Sequence, residues 1–242
     1  MKRYSILHNI LMIFISLAGL SEHVQSQHIS HPYIHSKSHP TLTLDSIVIG
    51  SGKTVFYLRI ENRIEGGGWF CASKHIEIEE DSTGMKWLVT GSQGIPTCPD
   101  AHKFNHQGEQ LSFVLFAPKL SPFPTSISIR ERCATGCIRL EGIVMDSVLS
   151  SELVKFDRAV LAYRAGKKEA AQHQFEHLYR TSHFRQSKHF GYVLYILPRI
   201  AYERKHRDEA KRYYHALVSS HHPDADHFIS QLNKIEFFRT LD

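Results

Sequence analysis

The sequence predicts an α+β protein in which an antiparallel β-sandwich precedes a C-terminal array of helical hairpins. Between residues 42 and 147, short apolar stretches alternate with polar residues and are separated by turn clusters, a pattern typical of strands. From residue 148 to residue 242, glycine and proline become sparse and apolar residues recur at helical spacing. Residues 1–26 and 27–41 precede these domains and are predicted to be a signal peptide and a flexible histidine-rich lead.

Seven short strands are predicted in the front half, an arrangement typical of an immunoglobulin-like sandwich. The stretch at 55–60 is rich in apolar residues, and Ser-Ile-Ser-Ile-Arg at 126–130 alternates strictly. The irregular stretch at 92–109 is predicted to be a loop, and surface loops often carry contact residues. The predicted strands lie near residues 42–49, 53–62, 69–79, 85–91, 110–118, 125–131 and 137–146.

Two helical hairpins and a last helix are predicted behind the sandwich. Phe156, Ala159 and Tyr163 follow the spacing of a first helix, which Gly166 ends. The other predicted helices cover residues around 170–179, 192–203, 208–219 and 228–238.

The hairpins resemble tetratricopeptide repeats. Ala-Tyr-Arg-Ala-Gly-Lys-Lys-Glu-Ala-Ala at 162–171 aligns with Ala-Tyr-Glu-Arg-Lys-His-Arg-Asp-Glu-Ala at 201–210. The step is 39 residues, longer than the usual ~34, and the extra residues are placed in the loop at 181–188. The residues that match the packing positions of the repeat are Ala159, Ala162, Gly166, Ala171, Phe175 and Leu178 in the first unit and Ala201, Ala210, Tyr214 and Leu217 in the second, with Pro198 where a small residue is usual.

The resemblance to this family implies antiparallel helix pairs with a concave face that takes an extended peptide or a partner's helix. Two units are fewer than the roughly three that normally stand alone. The helical tail is therefore expected to be stabilised by packing against the sandwich and the final helix.

The front half is similar to a β-domain of uncharacterised exported proteins from Bacteroidetes-type bacteria. The shared features are Thr54 in a Thr-x-Val-x-Phe strand, Gly-Ile-Pro at 94–96, the apolar strand at 113–116 and Gly-Ile at 142–143. This similarity implies that the protein is exported, but it implies no known activity.

The N-terminus indicates export. Lys2 and Arg3 precede an uncharged apolar run at 10–20, and small residues follow, as in Val24-x-Ser26. A run of about eleven residues is too short to cross a bilayer, which needs about twenty. The mature chain is expected to begin near Gln27, in the periplasm or outside the cell, with no membrane span.

Four cysteines, Cys71, Cys98, Cys133 and Cys137, remain after export and are predicted to form two disulfides. Four cysteines allow three pairings. Cys71–Cys98 with Cys133–Cys137 is favoured because Cys-Ala-Thr-Gly-Cys is a short loop that a glycine can turn. The rival interpretation, a zinc site, lacks Cys-x-x-Cys pairs.

Positive charge is concentrated in the helical tail. Residues 27–150 hold 11 Lys and Arg against 12 Asp and Glu, whereas residues 151–242 hold 16 against 11. A basic surplus of this kind can attract nucleic acid, anionic lipid or an acidic partner. An acidic protein or peptide is favoured, and an exported protein is not expected to meet nucleic acid. The candidate partner-binding residues, at the turns between helices, are Arg164, Lys167, Lys168, Arg204, Lys205 and Arg207.

Three motifs resemble parts of catalytic or metal sites, and none is predicted to act as one. Gly-Ser-Gly-Lys-Thr at 50–54 lacks the first glycine of a phosphate-binding loop and precedes a strand, so a hairpin turn is predicted. His173 and His177 match an inverted zinc-protease pattern, but they flank Phe175, a predicted core residue. The cluster His-His-Pro-Asp-Ala-Asp-His at 221–227 fits a loop and the start of the last helix.

The sequence therefore predicts an exported, non-enzymatic interaction or scaffold module of the bacterial envelope, without a cofactor, that binds a peptide or protein through its helical tail. The alternative is a metal- or ligand-binding exported protein that uses the histidine-rich lead at 27–41, where four histidines recur at spacings of three or four residues.

Overall fold

The structure is a computed structural model that describes residues 26–121, 123–133 and 136–241. The predicted signal peptide lies outside these residues, apart from Ser26. The described residues contain twelve strands in three sheets, followed by six α-helices. The prediction of a seven-stranded immunoglobulin-like sandwich is therefore wrong. The chain forms more strands, and shorter ones, than we predicted from the alternation of apolar and polar residues.

The strands are β1 (Gln27–Ser30), β2 (Ile34–Lys37), β3 (Thr43–Ile49), β4 (Lys53–Glu61), β5 (Trp69–Phe70), β6 (Ile76–Glu80), β7 (Lys86–Leu88), β8 (Gly91–Gln93), β9 (His102–Lys103), β10 (Gln110–Pro118), β11 (Ser126–Glu131) and β12 (Arg139–Val144). The helices are α1 (Ser147–Arg164), α2 (Lys168–Arg180), α3 (Phe190–Glu203), α4 (Arg207–Val218), α5 (Ala225–Leu232) and α6 (Glu236–Arg239), with a short 3-10 helix at Phe184–Gln186.

Two five-stranded antiparallel sheets enclose the first hydrophobic core. The first sheet has the order β1-β3-β4-β10-β8 and the second has the order β2-β12-β11-β6-β7, while β5 and β9 form a separate pair. Phe56 of the first sheet and Ile129 of the second are both fully buried in this core. Every second residue of their strands belongs to this core, Phe56, Leu58 and Ile60 in β4 and Ile127 and Ile129 in β11, as expected of strands that turn one face toward it.

The segment predicted to be a flexible lead forms two strands. β1 pairs with β3, with Ile29 fully buried, and β2 pairs with β12. Pro32 lies in the link between these strands, where it interrupts no ladder of hydrogen bonds. The prediction of flexibility is therefore wrong, because the pairing partners of this polar segment are distant in sequence and supply the hydrogen bonds that order it.

Two further predicted elements divide between sheets. The predicted strand at 85–91 becomes β7 in the second sheet and β8 in the first, and the predicted strand at 69–79 becomes β5 and β6. The predicted loop at 92–109 contains most of β8 and all of β9. The alternation of apolar and polar residues indicates that one face of a strand is buried. It does not indicate to which sheet the strand belongs.

The helices form two hairpins and a cap around a second hydrophobic core. α1 packs on α2 and α3 packs on α4, while α5 contacts α3 and α4. Phe175, Ile200 and Leu217 are fully buried in this core, and Tyr33 and Val144 from the strand region pack against it. Among the described residues, no helix combines the length and apolar character that crossing a membrane requires.

Candidate partner-binding surface

The two turns that connect α1 to α2 and α3 to α4 end their helices in the same way. Gly166 has a φ of 76°, and the N–H groups of Gly166 and Lys167 donate to the carbonyls of Tyr163 and Ala162. This pattern closes a helix by a left-handed residue. It brings the basic residues after α1 back over the end of that helix.

Ion pairs hold the two turns next to each other. The Nζ of Lys168 lies 3.0 Å from the Oε2 of Glu203, and the guanidinium of Arg204 lies 3.5 Å from the carboxylate of Glu169. Arg204 also donates to the Oε1 of Gln172 at 2.7 Å. Lys168 and Arg204, both predicted to bind a partner, therefore bind the hairpins to each other in this structure.

The other four predicted cations are exposed at the same end of the helical tail: Arg164, Lys167, Lys205 and Arg207. None of them forms an ion pair with the residues that the structure describes. We call these four residues the basic turn edge. The guanidinium of Arg207 lies 5.9 Å from the ring centroid of Phe237, which limits its range of positions.

A shallow depression of about 780 Å³ adjoins the basic turn edge. Lys167, Glu169 and His173 line it, together with Gln174, whose Oε1 is buried without a hydrogen-bond partner among the described residues. The depression therefore offers the cation of Lys167, the carboxylate of Glu169 and the imidazole of His173 beside the start of α2.

A hydrogen-bond network on the neighbouring helix face supports the edge. The carboxylate of Glu203 accepts from the hydroxyl of Tyr163 at 2.9 Å and from the Nε of Arg199 at 3.0 Å, and Arg199 also donates to the hydroxyl of Tyr195. Burial opposes the charge of Glu203, but its hydrogen bonds with Lys168, Arg199 and Tyr163 outweigh burial and lower its pKa. Burial and the same carboxylate raise the pKa of Tyr163.

Of the motifs that resemble catalytic sites, only the histidine pair of α2 reaches this surface, through His173 in the depression. Gly50, Ser51 and Gly52 form the hairpin turn between β3 and β4, as predicted, and Lys53 and Thr54 begin β4. His173 and His177 are exposed on α2 on either side of the buried Phe175.

Histidines of the predicted lead are distributed over two sheets. His28 belongs to β1 in the first sheet and His35 to β2 in the second, so the strand pairing separates them. In the cluster at 221–227, His221 has a φ of 53° and Ala225 begins α5. Across the described parts of the chain, no group of three or more His, Cys, Asp or Glu residues is arranged to hold a metal ion.

All four cysteines are paired. The structure contains the disulfides Cys71–Cys98 and Cys133–Cys137, with Cα atoms 5.3 and 5.6 Å apart. The prediction of two disulfides is confirmed. Disulfides persist in oxidising compartments, so these bonds fit an exported protein.

A second concave site, between the strands and the helices, was not predicted. Tyr33, Asp81, Arg130 and His189 line it, although they come from four separate elements or links. No local sequence signal joins residues this far apart. Only strand alternation, which places Arg130 outward from β11, could have hinted at it.

Comparisons with known proteins identify no family for this chain. No family model matches it, and no curated protein matches it either. One similar solved structure is a functionally unknown protein from Listeria monocytogenes EGD-e, at a TM-score of 0.31 and 8% sequence identity, covering 51% of this chain and 90% of that chain.

Proposed function

We propose that this protein is an exported interaction module that binds an acidic protein or peptide segment through the basic turn edge. The observation that carries the proposal is the placement of four exposed cations, Arg164, Lys167, Lys205 and Arg207, at two neighbouring turns. Exposed charges of one sign on a rigid support attract and orient a partner of the opposite sign. Such attraction weakens as salt is added.

The rigidity of the support favours binding over a merely solvated face. Lys168 with Glu203 and Arg204 with Glu169 fix the distance between the turns. A preorganised set of cations loses less conformational entropy on binding than four independent side chains on mobile loops. The likeness of the hairpins to tetratricopeptide repeats, which we also propose as their family relationship, agrees with a peptide-binding role.

We further propose that the mature protein works in the periplasm or outside the cell. The basis is the predicted signal peptide together with the two disulfides. Candidate partners are therefore envelope or extracellular proteins with an exposed acidic segment.

The test uses the purified, disulfide-bonded protein as bait in a cell-envelope extract, with captured proteins identified by mass spectrometry. A turn variant carries Arg164→Glu, Lys167→Glu, Lys205→Glu and Arg207→Glu. A matched control reverses four exposed cations of the strand region, Lys74, Lys103, Lys119 and Arg139, and so has the same net charge. We expect the native protein and the control to retain one partner that the turn variant loses. We also expect 0.5 M salt to release this partner, because the Debye length is then about 4 Å and exposed charges are strongly screened.

The proposal fails if the turn variant retains the partner or if the control loses it equally. It also fails if the native protein captures no partner and an Asp- and Glu-rich peptide shows no binding by fluorescence anisotropy at low salt.

A further inference from the structure

A cleft of about 410 Å³ lies where the second sheet meets the helical region. We call it the junction cleft. Its walls come from both parts of the chain, a position where small-molecule sites often lie. The side chains that decide its chemistry are Tyr33, His35, Asp81, Arg130, Glu141 and His189.

A β-bulge shapes the floor of the junction cleft. The pairing of β11 with β12 shifts register around Ser128, opposite Glu141 and Gly142. Gly142 has a φ of 63°, and a Cβ at this residue would lie 2.9 Å from the Cβ of His35, so only glycine fits. Bulges of this kind redirect side chains and are common beside functional sites.

Hydrogen bonds hold the polar groups of the floor in fixed directions. Ser128, only 1% exposed, accepts from the N–H of Gly142 at 3.1 Å and donates to the Oδ1 of Asp81 at 2.6 Å. Arg130 donates two hydrogen bonds to Glu141, at 3.0 and 2.6 Å. Because each carboxylate oxygen can accept more than one hydrogen bond, Asp81 and Glu141 keep acceptor capacity toward the cleft.

The formal charges of the residues that line the cleft cancel, since Arg130 and Lys188 oppose Asp81 and Glu141. Arg130 also pairs with Glu79, which is not part of the lining, at 2.9 Å. Burial lowers the pKa of His189, with Lys188 and His35 adding to the effect and Asp157 opposing it, which favours the neutral imidazole. Burial and the neighbouring Asp157 raise the pKa of Tyr33 to about 12, so its phenol is neutral as well.

We propose that the junction cleft binds a neutral, hydroxyl-rich molecule of the size of a mono- or disaccharide. A hydroxyl group both donates and accepts, so adjacent hydroxyls can pair with the carboxylate of Asp81 and with the guanidinium of Arg130. Tyr33 and His189 add aromatic rings to the lining, and the C–H face of a sugar ring packs well on aromatic rings. Because the charges of the lining residues sum to zero, neither an anion nor a cation gains a net electrostatic attraction from them. The volume of the cleft lies in the lower part of the range for ligand sites, roughly 300–1,000 Å³.

The test measures binding to the purified, disulfide-bonded protein by saturation-transfer NMR and isothermal titration calorimetry. The probes are glucose, N-acetylglucosamine and cellobiose, compared with glucose 6-phosphate and glucosamine as charged analogues. Asp81→Ala and His35→Ala alter exposed residues of the cleft, and Asp100→Ala is a matched change of an exposed aspartate elsewhere. We expect a neutral sugar to bind, and Asp81→Ala to weaken its binding by about 10-fold or more, since a hydrogen bond to a charged group is lost.

Absence of binding by all three neutral sugars at a Kd below about 10 mM overturns the proposal. Tighter binding of either charged analogue also overturns it, as does an unchanged Kd in both Asp81→Ala and His35→Ala. Since Asp81 supports the buried Ser128, His35→Ala provides the test if Asp81→Ala does not fold. The site is independent of the proposed function, because the turn variant is expected to bind the sugar normally.

Discussion

Gly166 and Lys205 occupy equivalent positions at the ends of α1 and α3, and both adopt left-handed backbone conformations, with φ of 76° and 66°. The N–H of Lys205 donates to Tyr202, and that of His206 donates to Ala201, as the corresponding groups do in the first turn. A side chain makes this conformation unfavourable, whereas glycine adopts it freely. Lys205 therefore sits at a strained position in the second turn.

Replacing Lys205 by glycine is expected to stabilise the protein by about 0.5–1 kcal/mol, because the strain of the left-handed residue is removed. Urea denaturation monitored by circular dichroism measures the free energy of unfolding. Lys205→Ala removes the same charge and keeps the strain, so it serves as the control and should bring no gain. An equal increase in the free energy of unfolding in both variants would show that the charge of Lys205, and not its backbone conformation, destabilises this turn.

Glu203 is expected to be the main polar support between the hairpins. Glu203→Gln should lower the free energy of unfolding by about 1–3 kcal/mol, because charge-assisted bonds with Lys168, Arg199 and Tyr163 are weakened. Exposed Glu169, whose ion pair within the described part of the chain is with Arg204 alone, is the comparison residue, and Glu169→Gln should cost about 0–1 kcal/mol.

The cost of Glu203→Gln is also expected to depend on pH. The folded protein lowers the pKa of Glu203 below its ordinary value of 4.5, so the charged form stabilises the fold. This stabilisation is complete above the unfolded pKa and is lost as pH falls through the lower, folded pKa. Denaturation curves at pH 7 and at pH ~3 should thus show a smaller difference between the native protein and the variant at the lower pH, and an equal difference would contradict this role.

Asp146 is expected to anchor the first helix to the strand region. Its Oδ1 accepts from the N–H of Leu149 at 2.9 Å, and its Oδ2 lies 2.9 Å from the Nε2 of His183. Asp146→Ala should destabilise the protein by about 1–2 kcal/mol, since an N-cap is lost. Asp146→Asn preserves a capping oxygen and should cost less than half as much in the same thermal or urea unfolding measurement. Equal losses would instead assign the effect to the charge of Asp146.

The two disulfides are expected to contribute unequally to stability. Cys71 and Cys98 are 27 residues apart, whereas Cys133 and Cys137 are 4 apart. A longer closed loop restricts the unfolded chain more, which gives about 3–4 kcal/mol for the first bond and about 2 kcal/mol for the second. Unfolding of the variants Cys71→Ala/Cys98→Ala and Cys133→Ala/Cys137→Ala checks this order, and a larger loss in the second variant would contradict it.

The helical tail was more predictable than the strand region. Helix spacing and the glycine at position 166 are local signals, and α3 and α4 begin and end within two residues of the predicted bounds. The predicted final helix is divided into α5 and α6, because Ile235 adopts an extended conformation between them. Strand identity depends on partners that are far apart in sequence, so β1 and β2 were missed and residues 85–91 were assigned to one strand.

The partner-binding prediction shows the same limit. Six basic residues were chosen because they lie near turns, and all of them do. The sequence could not show that Lys168 and Arg204 are paired with Glu203 and Glu169, because these ion pairs cross from one hairpin to the other.

By itself, the sequence determined the features that depend on local composition and spacing: the C-terminal helices, the hairpin turn at Gly50, the cysteine pairs and the surplus of positive charge in the tail. Tertiary structure decided which strands share a sheet, which cations remain exposed and where the junction cleft lies. The physical reason is that pairing, burial and charge cancellation arise between residues distant in the chain, and local patterns carry no information about such partners.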